Sequence, residues 1–104
     1  MGETSHYAVI FTSRKKMDSE AYNQMAKRME EASALQEGFM GIQSVRDSEG
    51  LGITVSYWKT LADIAKWKAH SEHRLAQING QNEWYSGYEV RICKVEREYS
   101  FGKI

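Results

Sequence analysis

The chain has 104 residues, which is room for one domain with one modest core. Its 14 basic and 14 acidic residues cancel, and no apolar run approaches the roughly 20 residues that span a bilayer. Neither nucleic acid nor a membrane is therefore expected as a partner. The lone Cys93 cannot form an internal disulfide, and the start MGETSHY lacks the basic and apolar regions of a signal peptide. A cytoplasmic protein is the expectation.

The chain opens with a predicted strand and a predicted helix. In residues 6–13, HYAVIFTS, both alternating faces are largely apolar, which is typical of a strand buried on both sides. Asp18 or Ser19 then caps a helix. The apolar residues of this helix recur at spacings of three and four: Tyr22, Met25, Ala26, Met29 and Leu35.

A predicted β-hairpin follows. Gly38 ends the connection into the predicted strand FMGIQSVRD. The segment 47–50, DSEG, is predicted to form a turn that leads into the strand LGITVSYW. One face of this third strand carries Leu51, Ile53, Val55 and Tyr57, and the other carries Gly52, Thr54, Ser56 and Trp58.

A second helix should begin at Leu61, because Thr60 and Asp63 form a capping-box-like pair. Its apolar stripe contains Leu61, Ile64, Trp67, Leu75 and Ile78. His70 borders this stripe, and Ser71 can cap a second helical piece, so a kink or restart is expected near His70. In the last strand, Val90 and Ile92 alternate with Arg91 and Cys93.

The resulting order β-α-β-β-α-β predicts an α+β, ferredoxin-like fold with both helices on one face of an antiparallel sheet. We expect a single domain over residues 1–104, with a core of about 6–97 and a tail of 98–104. The first strand is apolar on both sides, and the chain is too short to supply a second covering layer. A homodimer packed sheet to sheet is therefore expected.

The stretch 57–91 carries all three tryptophans, two of the three histidines and three of the six tyrosines. The pieces YW, WKAHSEH, AQ and EWYSGYEVRICKVER within residues 57–97 resemble the antibiotic-biosynthesis-monooxygenase (ABM) domain family. The resemblance extends over essentially the whole chain and implies a dimeric α+β barrel made from two sheets. The family includes cofactor-free oxygenases of aromatic polyketides, haem-degrading monooxygenases and proteins with no assigned activity.

The resemblance to the haem-degrading branch has gaps. That branch shares YWK and the helix tryptophan, matched by Trp67, but has an iron-ligating histidine at the position of Gln77. An amide is no substitute for imidazole as an iron ligand, so His70 or His73 would have to serve. The branch's first-strand asparagine has no match over residues 9–11. Haem is therefore the alternative and no cofactor is the expectation. A metal site on His70 and His73 lacks an obvious third ligand.

Cofactor-free oxidation of a small aromatic or enolic substrate needs an apolar pocket, a base and donors that stabilise an anion. From residue chemistry and the resemblance, we assign His70 as base, Tyr57 as hydrogen-bond donor to a substrate oxygen and Arg91 as anion stabiliser. Further candidate substrate contacts are Trp67, His73, Gln77 and Trp84.

Purely structural roles compete with these assignments. Trp67 fits a core position, His70 fits a cap at the helical joint, and Cys93 fits a small buried apolar residue. Arg91 can pair with Glu89. We expect Trp84, Tyr85 and Tyr88 to form an aromatic cluster that either covers the core or lies at the dimer interface.

The rival function is a non-catalytic dimeric domain that binds a small hydrophobic ligand. A cleft between helices and sheet that contains His70 and a polar partner favours the enzyme. A cleft filled by Trp67 and Tyr57 favours the binding domain.

Overall fold

The computed structural model describes residues 6–16, 20–77 and 84–104, except for the side chains of residues 73–77. The elements are β1 (His6–Lys15), α1 (Glu20–Ala34), β2 (Phe39–Arg46), β3 (Leu51–Trp58), α2 (Leu61–Gln77) and β4 (Tyr85–Val95). The four strands form one antiparallel sheet in the order β2-β3-β1-β4. The predicted ferredoxin-like fold is confirmed.

The predicted hairpin between β2 and β3 is confirmed. The Asp47 carboxylate accepts hydrogen bonds from the backbone N–H groups of Glu49 and Leu51, both at 2.9 Å. Gly50 closes the turn with φ +98°, a backbone conformation that residues with a Cβ atom rarely adopt. Gly38 has φ +84° at the entry to β2, where the Asp63 side chain occupies the space of a Cβ atom.

Helix α2 begins as predicted. The Thr60 hydroxyl accepts the N–H of Asp63 at 3.0 Å and donates to the Asp63 carboxylate at 2.8 Å. The expected kink near His70 is wrong, because the helix runs unbroken from Leu61 to Gln77. The Ser71 hydroxyl donates to the Lys68 carbonyl of the preceding turn at 3.0 Å, so it bonds within the helix instead of capping a new one.

Helix α1 buries Tyr22 and Met25, as its periodicity predicts. Leu35 does not join them, because it follows the end of the helix and is 85% exposed. The proposed caps Asp18 and Ser19 lie outside the described residues, as does Ile78.

The strand register shows which side of the sheet the helices cover. Trp58 pairs with Tyr7 and its ring stacks on Trp67 of α2, so residues that alternate with Trp58 face the helices. The apolar row of β3 points the other way. We call this second side the open face; it carries Leu51, Ile53, Val55 and Tyr57 of β3, Ala8 and Ile10 of β1, and Arg91 and Cys93 of β4.

The open face is unevenly covered. At one end His6 and Ala8 are buried, but Ile53 and Leu51 of β3 are about 40% exposed. Cys93 pairs with Ala8 and is exposed, so the expectation that its side chain is buried is wrong for the single chain. Neither described helix is long and apolar enough to cross a membrane.

Candidate functional site

The helix-facing side of β4 is only half covered. Helix α1 packs on β2 and α2 packs on β3, which leaves the far edge of the sheet accessible. Tyr88, Val90 and Ile92 pair with Ser13, Phe11 and Val9 on this side and remain 47%, 49% and 50% exposed. Together with Val9 and Phe11 they form a partly exposed apolar surface beside the helices, which we call the helix-side cleft. It offers apolar and aromatic contacts to a ligand.

Three stacked rings join β3 to α2 on the helix-facing side of the sheet. The Trp58 and Trp67 centroids are 6.0 Å apart at 23°, and those of Trp67 and His70 are 5.6 Å apart at 27°. Trp58 is fully buried, whereas Trp67 and His70 are half-buried. The predicted placement of His70 beside Trp67 is confirmed. Trp58, the most buried large side chain, was not singled out from the sequence.

An aromatic cluster lies where β4 begins, as predicted. A bulge at Ser86 shifts the pairing of β4 with β1, which brings Tyr85 and Tyr88 to the same side of the sheet. Both rings contact Phe11, with centroids 5.5 and 5.4 Å away. Tyr22 of α1 packs on the rings of Trp84 at 6.0 Å and Tyr85 at 5.8 Å.

Arg46 lies under this cluster. One terminal nitrogen donates to the carbonyls of Ser13 at 3.2 Å and Gly50 at 2.5 Å. The other donates to the Ser13 hydroxyl at 2.8 Å and to the Tyr22 hydroxyl at 3.1 Å. A Cβ at Gly52 would lie 2.5 Å from the guanidinium carbon, so this glycine makes room for the arginine. The sequence offers only a weak signal for this site, a charged residue paired with a glycine.

The cluster contains two further polar groups, the hydroxyl of Tyr85 in β4 and the indole N–H of Trp84, the residue before β4. The Tyr85 hydroxyl is 3.5 Å from that of Tyr22. Burial raises the pKa of Tyr85 far above its ordinary value, and the Tyr22 hydrogen bond raises it further, while the Arg46 charge opposes both. The buried Trp84 indole N–H has no acceptor among the described residues.

The structure separates the three residues assigned to catalysis. His70 lies on the helix-facing side, whereas Tyr57 and Arg91 lie on the open face, so one chain does not bring them together. Arg91 donates to the Glu89 carboxylate at 2.7 Å and its side chain is 60% exposed. This pairing is the structural alternative to a catalytic role for Arg91.

The other candidates divide similarly. Trp67 and Trp84 lie on the helix-facing side, and the side chains of His73 and Gln77 lie outside the described residues. Among the residues that the structure describes, no three His, Cys, Asp or Glu side chains could hold a metal ion together.

His6 was not predicted as a site residue, yet it is buried on the open face, only 5% exposed. Its Nε2 atom is 3.8 Å from the Glu98 carboxylate, and its ring centroid is 6.3 Å from that of Tyr57. At the other end of the same face, a shallow depression of about 310 Å³ is lined by Thr12, Arg14 and Leu51 among others.

Comparison with known proteins assigns the family. The model of the antibiotic biosynthesis monooxygenase family matches residues 6–78. YqjZ of Bacillus subtilis, an uncharacterised protein, is 44% identical over 99 residues, which cover 95% of this chain and 87% of YqjZ. The chain belongs to the antibiotic biosynthesis monooxygenase family. The resemblance inferred from residues 57–97 is confirmed.

Solved structures of this ABM fold superpose along the chain. SnoaB from Streptomyces nogalater, described as a cofactor-independent oxygenase, matches with a TM-score of 0.70 at 12% identity, over 92% of this chain and 97% of SnoaB. A protein from Shewanella oneidensis matches with a TM-score of 0.73 at 11% identity, over 89% of this chain and 93% of its own. At these identities the similarity shows the fold.

Proposed function

We propose that this ABM protein is an oxygenase that oxidises a small aromatic or enolic molecule without a metal or organic cofactor. The observation that carries the proposal is the helix-side cleft, whose half-exposed residues Tyr88, Val90 and Ile92 lie on the same side of the sheet as His70. The shared fold with SnoaB, described as a cofactor-independent oxygenase, supports the same reaction class.

The chemistry is that of an electron-rich anion with dioxygen. A base removes the phenolic proton, the phenolate passes one electron to dioxygen, and the two radicals combine to form a carbon–oxygen bond. Loss of the ring hydrogen with cleavage of the oxygen–oxygen bond gives a quinone and water. One oxygen atom enters the product, and the other leaves as water with the two hydrogens. The protein has to supply a base, an apolar pocket and anion stabilisation.

His70 is the proposed base. Its imidazole is half-buried and stacks on Trp67, and an imidazole nitrogen can accept a proton from a bound phenol. Tyr57 and Arg91 lie on the open face, on the other side of the sheet from His70, so we assign them to the subunit interface and not to the reaction.

We further propose that two copies pack through their open faces. Leu51 and Ile53 of the apolar row on β3 are about 40% exposed, and no described helix packs on this side of the sheet; a second copy would cover them. The tail beyond Val95 has no helix or strand, and its large side chains Tyr99, Phe101 and Ile104 are also exposed.

One observation favours the rival binding domain. Trp58 and Trp67 pack together and fill the space between β3 and α2, although Tyr57 does not join them. A ligand would then be held in the helix-side cleft without reaction.

Oxygen uptake tests the proposal. The purified protein is screened against hydroxylated naphthalenes, hydroquinones and cyclic enols with an oxygen electrode. We expect uptake with at least one of them, and His70→Ala should lower kcat by about 100-fold, the usual contribution of a general base. Glu72→Gln, an exposed change two residues away on α2, is the matched control.

Three results would contradict the proposal. Oxygen consumption that is unchanged in His70→Ala removes the base assignment. A screen without oxygen uptake, together with saturable hemin binding at one per subunit that is lost in His70→Ala, supports the haem alternative instead. With neither activity nor hemin binding, the binding domain is favoured.

A further inference from the structure

We propose that Trp84 and Tyr85 form a binding site for the negatively charged oxygen of a phenolate or enolate. Tyr22 is hydrogen-bonded to Tyr85, and Arg46 is hydrogen-bonded to Tyr22. This inference rests on the proposed function in one respect, since it assigns the part of the substrate that carries charge. None of these residues belongs to the His70 stack or to the open face.

The Trp84 indole supplies the first donor. Its N–H is buried and meets no acceptor among the described residues. A buried donor without a partner is rare in folded proteins, because it has lost its hydrogen bond to water without replacement. A ligand oxygen placed there would satisfy it.

The Tyr85 hydroxyl supplies the second donor. The Arg46 guanidinium has only donors, so the Tyr22 oxygen accepts the 3.1 Å bond between them. Besides burial, the hydrogen bond to Tyr22, 3.5 Å away, raises the pKa of Tyr85, which is the effect of a bond that Tyr85 donates. A ligand oxygen that accepts the Tyr85 proton would replace this long hydrogen bond. The pKa of Tyr85 lies far above its ordinary value because of burial, which keeps this proton in place at physiological pH.

Arg46 makes the site electropositive. Among the described residues it forms no ion pair, and its four hydrogen bonds go to two carbonyls and two hydroxyls. No carboxylate of the residues that the structure describes therefore contacts Arg46 to neutralise its positive charge. In a partly buried place such a charge favours a nearby anion more than it would in water.

The position of the two donors selects the kind of anion. Trp84 and Tyr85 are adjacent in sequence, and both rings contact Tyr22. The Tyr88 ring lies 6.2 Å from that of Tyr85 and opens onto the helix-side cleft. A ligand oxygen that accepts from both donors would have the Tyr88 ring near it, which suits a flat ring that bears one charged oxygen.

Para-nitrophenol is the probe, because its phenolate absorbs at longer wavelength than the neutral phenol. We titrate it with pH in the presence and absence of saturating protein and follow the phenolate band.

The wild-type protein should lower the pKa of the bound probe. Tyr85→Phe, which keeps the ring and removes the hydroxyl, should return that pKa towards the free value and weaken phenolate binding about tenfold. Trp84→Phe should act in the same direction. Tyr99→Phe, in the exposed tail, is the control and should match the wild type.

The inference is overturned if the wild type binds no para-nitrophenol, if the bound probe keeps its free pKa, or if Tyr85→Phe and Trp84→Phe both match the wild type. The proposed oxygenase activity is judged separately. Phenolate binding without oxygen uptake from any phenol keeps this site and removes the oxygenase. Oxygen uptake that is unaffected in Tyr85→Phe keeps the oxygenase and removes this site.

Discussion

Arg46 occupies space that any side chain at position 52 would need. A methyl group on Gly52 would lie 2.5 Å from the guanidinium carbon and 2.8 Å from both terminal nitrogens. We expect Gly52→Ala to displace Arg46 and to lower the free energy of unfolding by about 1–3 kcal/mol, through overpacking and lost hydrogen bonds. Urea denaturation measures this change.

Gly87→Ala is the matched control for Gly52→Ala. Gly87 lies in a strand of the same sheet, and no atom lies within 4 Å of the position that a Cβ would take there, so the methyl group meets open space. We expect a change within about 0.5 kcal/mol. Equal effects of the two substitutions would show that Arg46 does not require the glycine.

Tyr85 makes the fold sensitive to alkali. Because its pKa in the folded chain is raised above the ordinary 10.0, unfolded chains release this proton while folded chains retain it. The stability that depends on neutral Tyr85 is complete below that value and falls as the pH rises above it. Urea denaturation between about pH 9 and pH 11 should therefore show a smaller loss of stability in Tyr85→Phe than in the wild type. Tyr99→Phe, with an 85% exposed ring, should retain the wild-type slope.

At the scale of elements, the start of α2 depends on one hydroxyl. Thr60 bonds both the N–H and the carboxylate of Asp63. Thr60→Ala should lower the free energy of unfolding by about 1 kcal/mol, the usual value of an N-cap. Thr60→Ser keeps the hydroxyl and should recover most of the loss, as measured by thermal or urea denaturation. If serine is no better than alanine, the cap does not stabilise this helix.

The sequence predicts these elements well because their signals are local. The Thr60 cap, the Asp47 turn and the period of α2 each depend on residues a few positions apart. The error near His70 is local too, since a serine hydroxyl can either cap a helix or bond one turn back, and Ser71 bonds to Lys68.

The sidedness of the sheet was harder to predict. Alternation shows that Tyr57 and Trp58 face opposite ways, but it does not show which way the helices lie. The more apolar row of β3 proved to face away from them. This is why His70 and Tyr57 were assigned to one site and lie on two sides of the sheet. Arg46 was missed because its partners come from α1, β1 and the hairpin, which only the fold brings together.

The whole molecule is proposed to be two chains joined through their open faces. Sedimentation should then give a mass twice that of the 12.0 kDa chain at micromolar concentration. Ile53→Asp places a charge in the centre of the apolar row and should shift the protein towards the monomer, because a carboxylate is costly to bury unpaired.

Leu35→Asp is the control for Ile53→Asp. Leu35 is a large exposed side chain that follows α1 and lies away from the open face. This variant should sediment like the wild type. A wild-type protein that stays monomeric, or a dimer that survives Ile53→Asp, would contradict the proposed interface.

The stack of Trp58, Trp67 and His70 also gives the protein an intrinsic fluorescence signal beside the proposed base. His70 lies almost parallel to Trp67, so a ligand that contacts His70 also changes the surroundings of a fluorescent indole. Ligand binding beside His70 should therefore change the tryptophan emission, and the change should be smaller in Trp67→Phe. Binding at the proposed base can then be followed by fluorescence in the unlabelled protein, before any substrate is known.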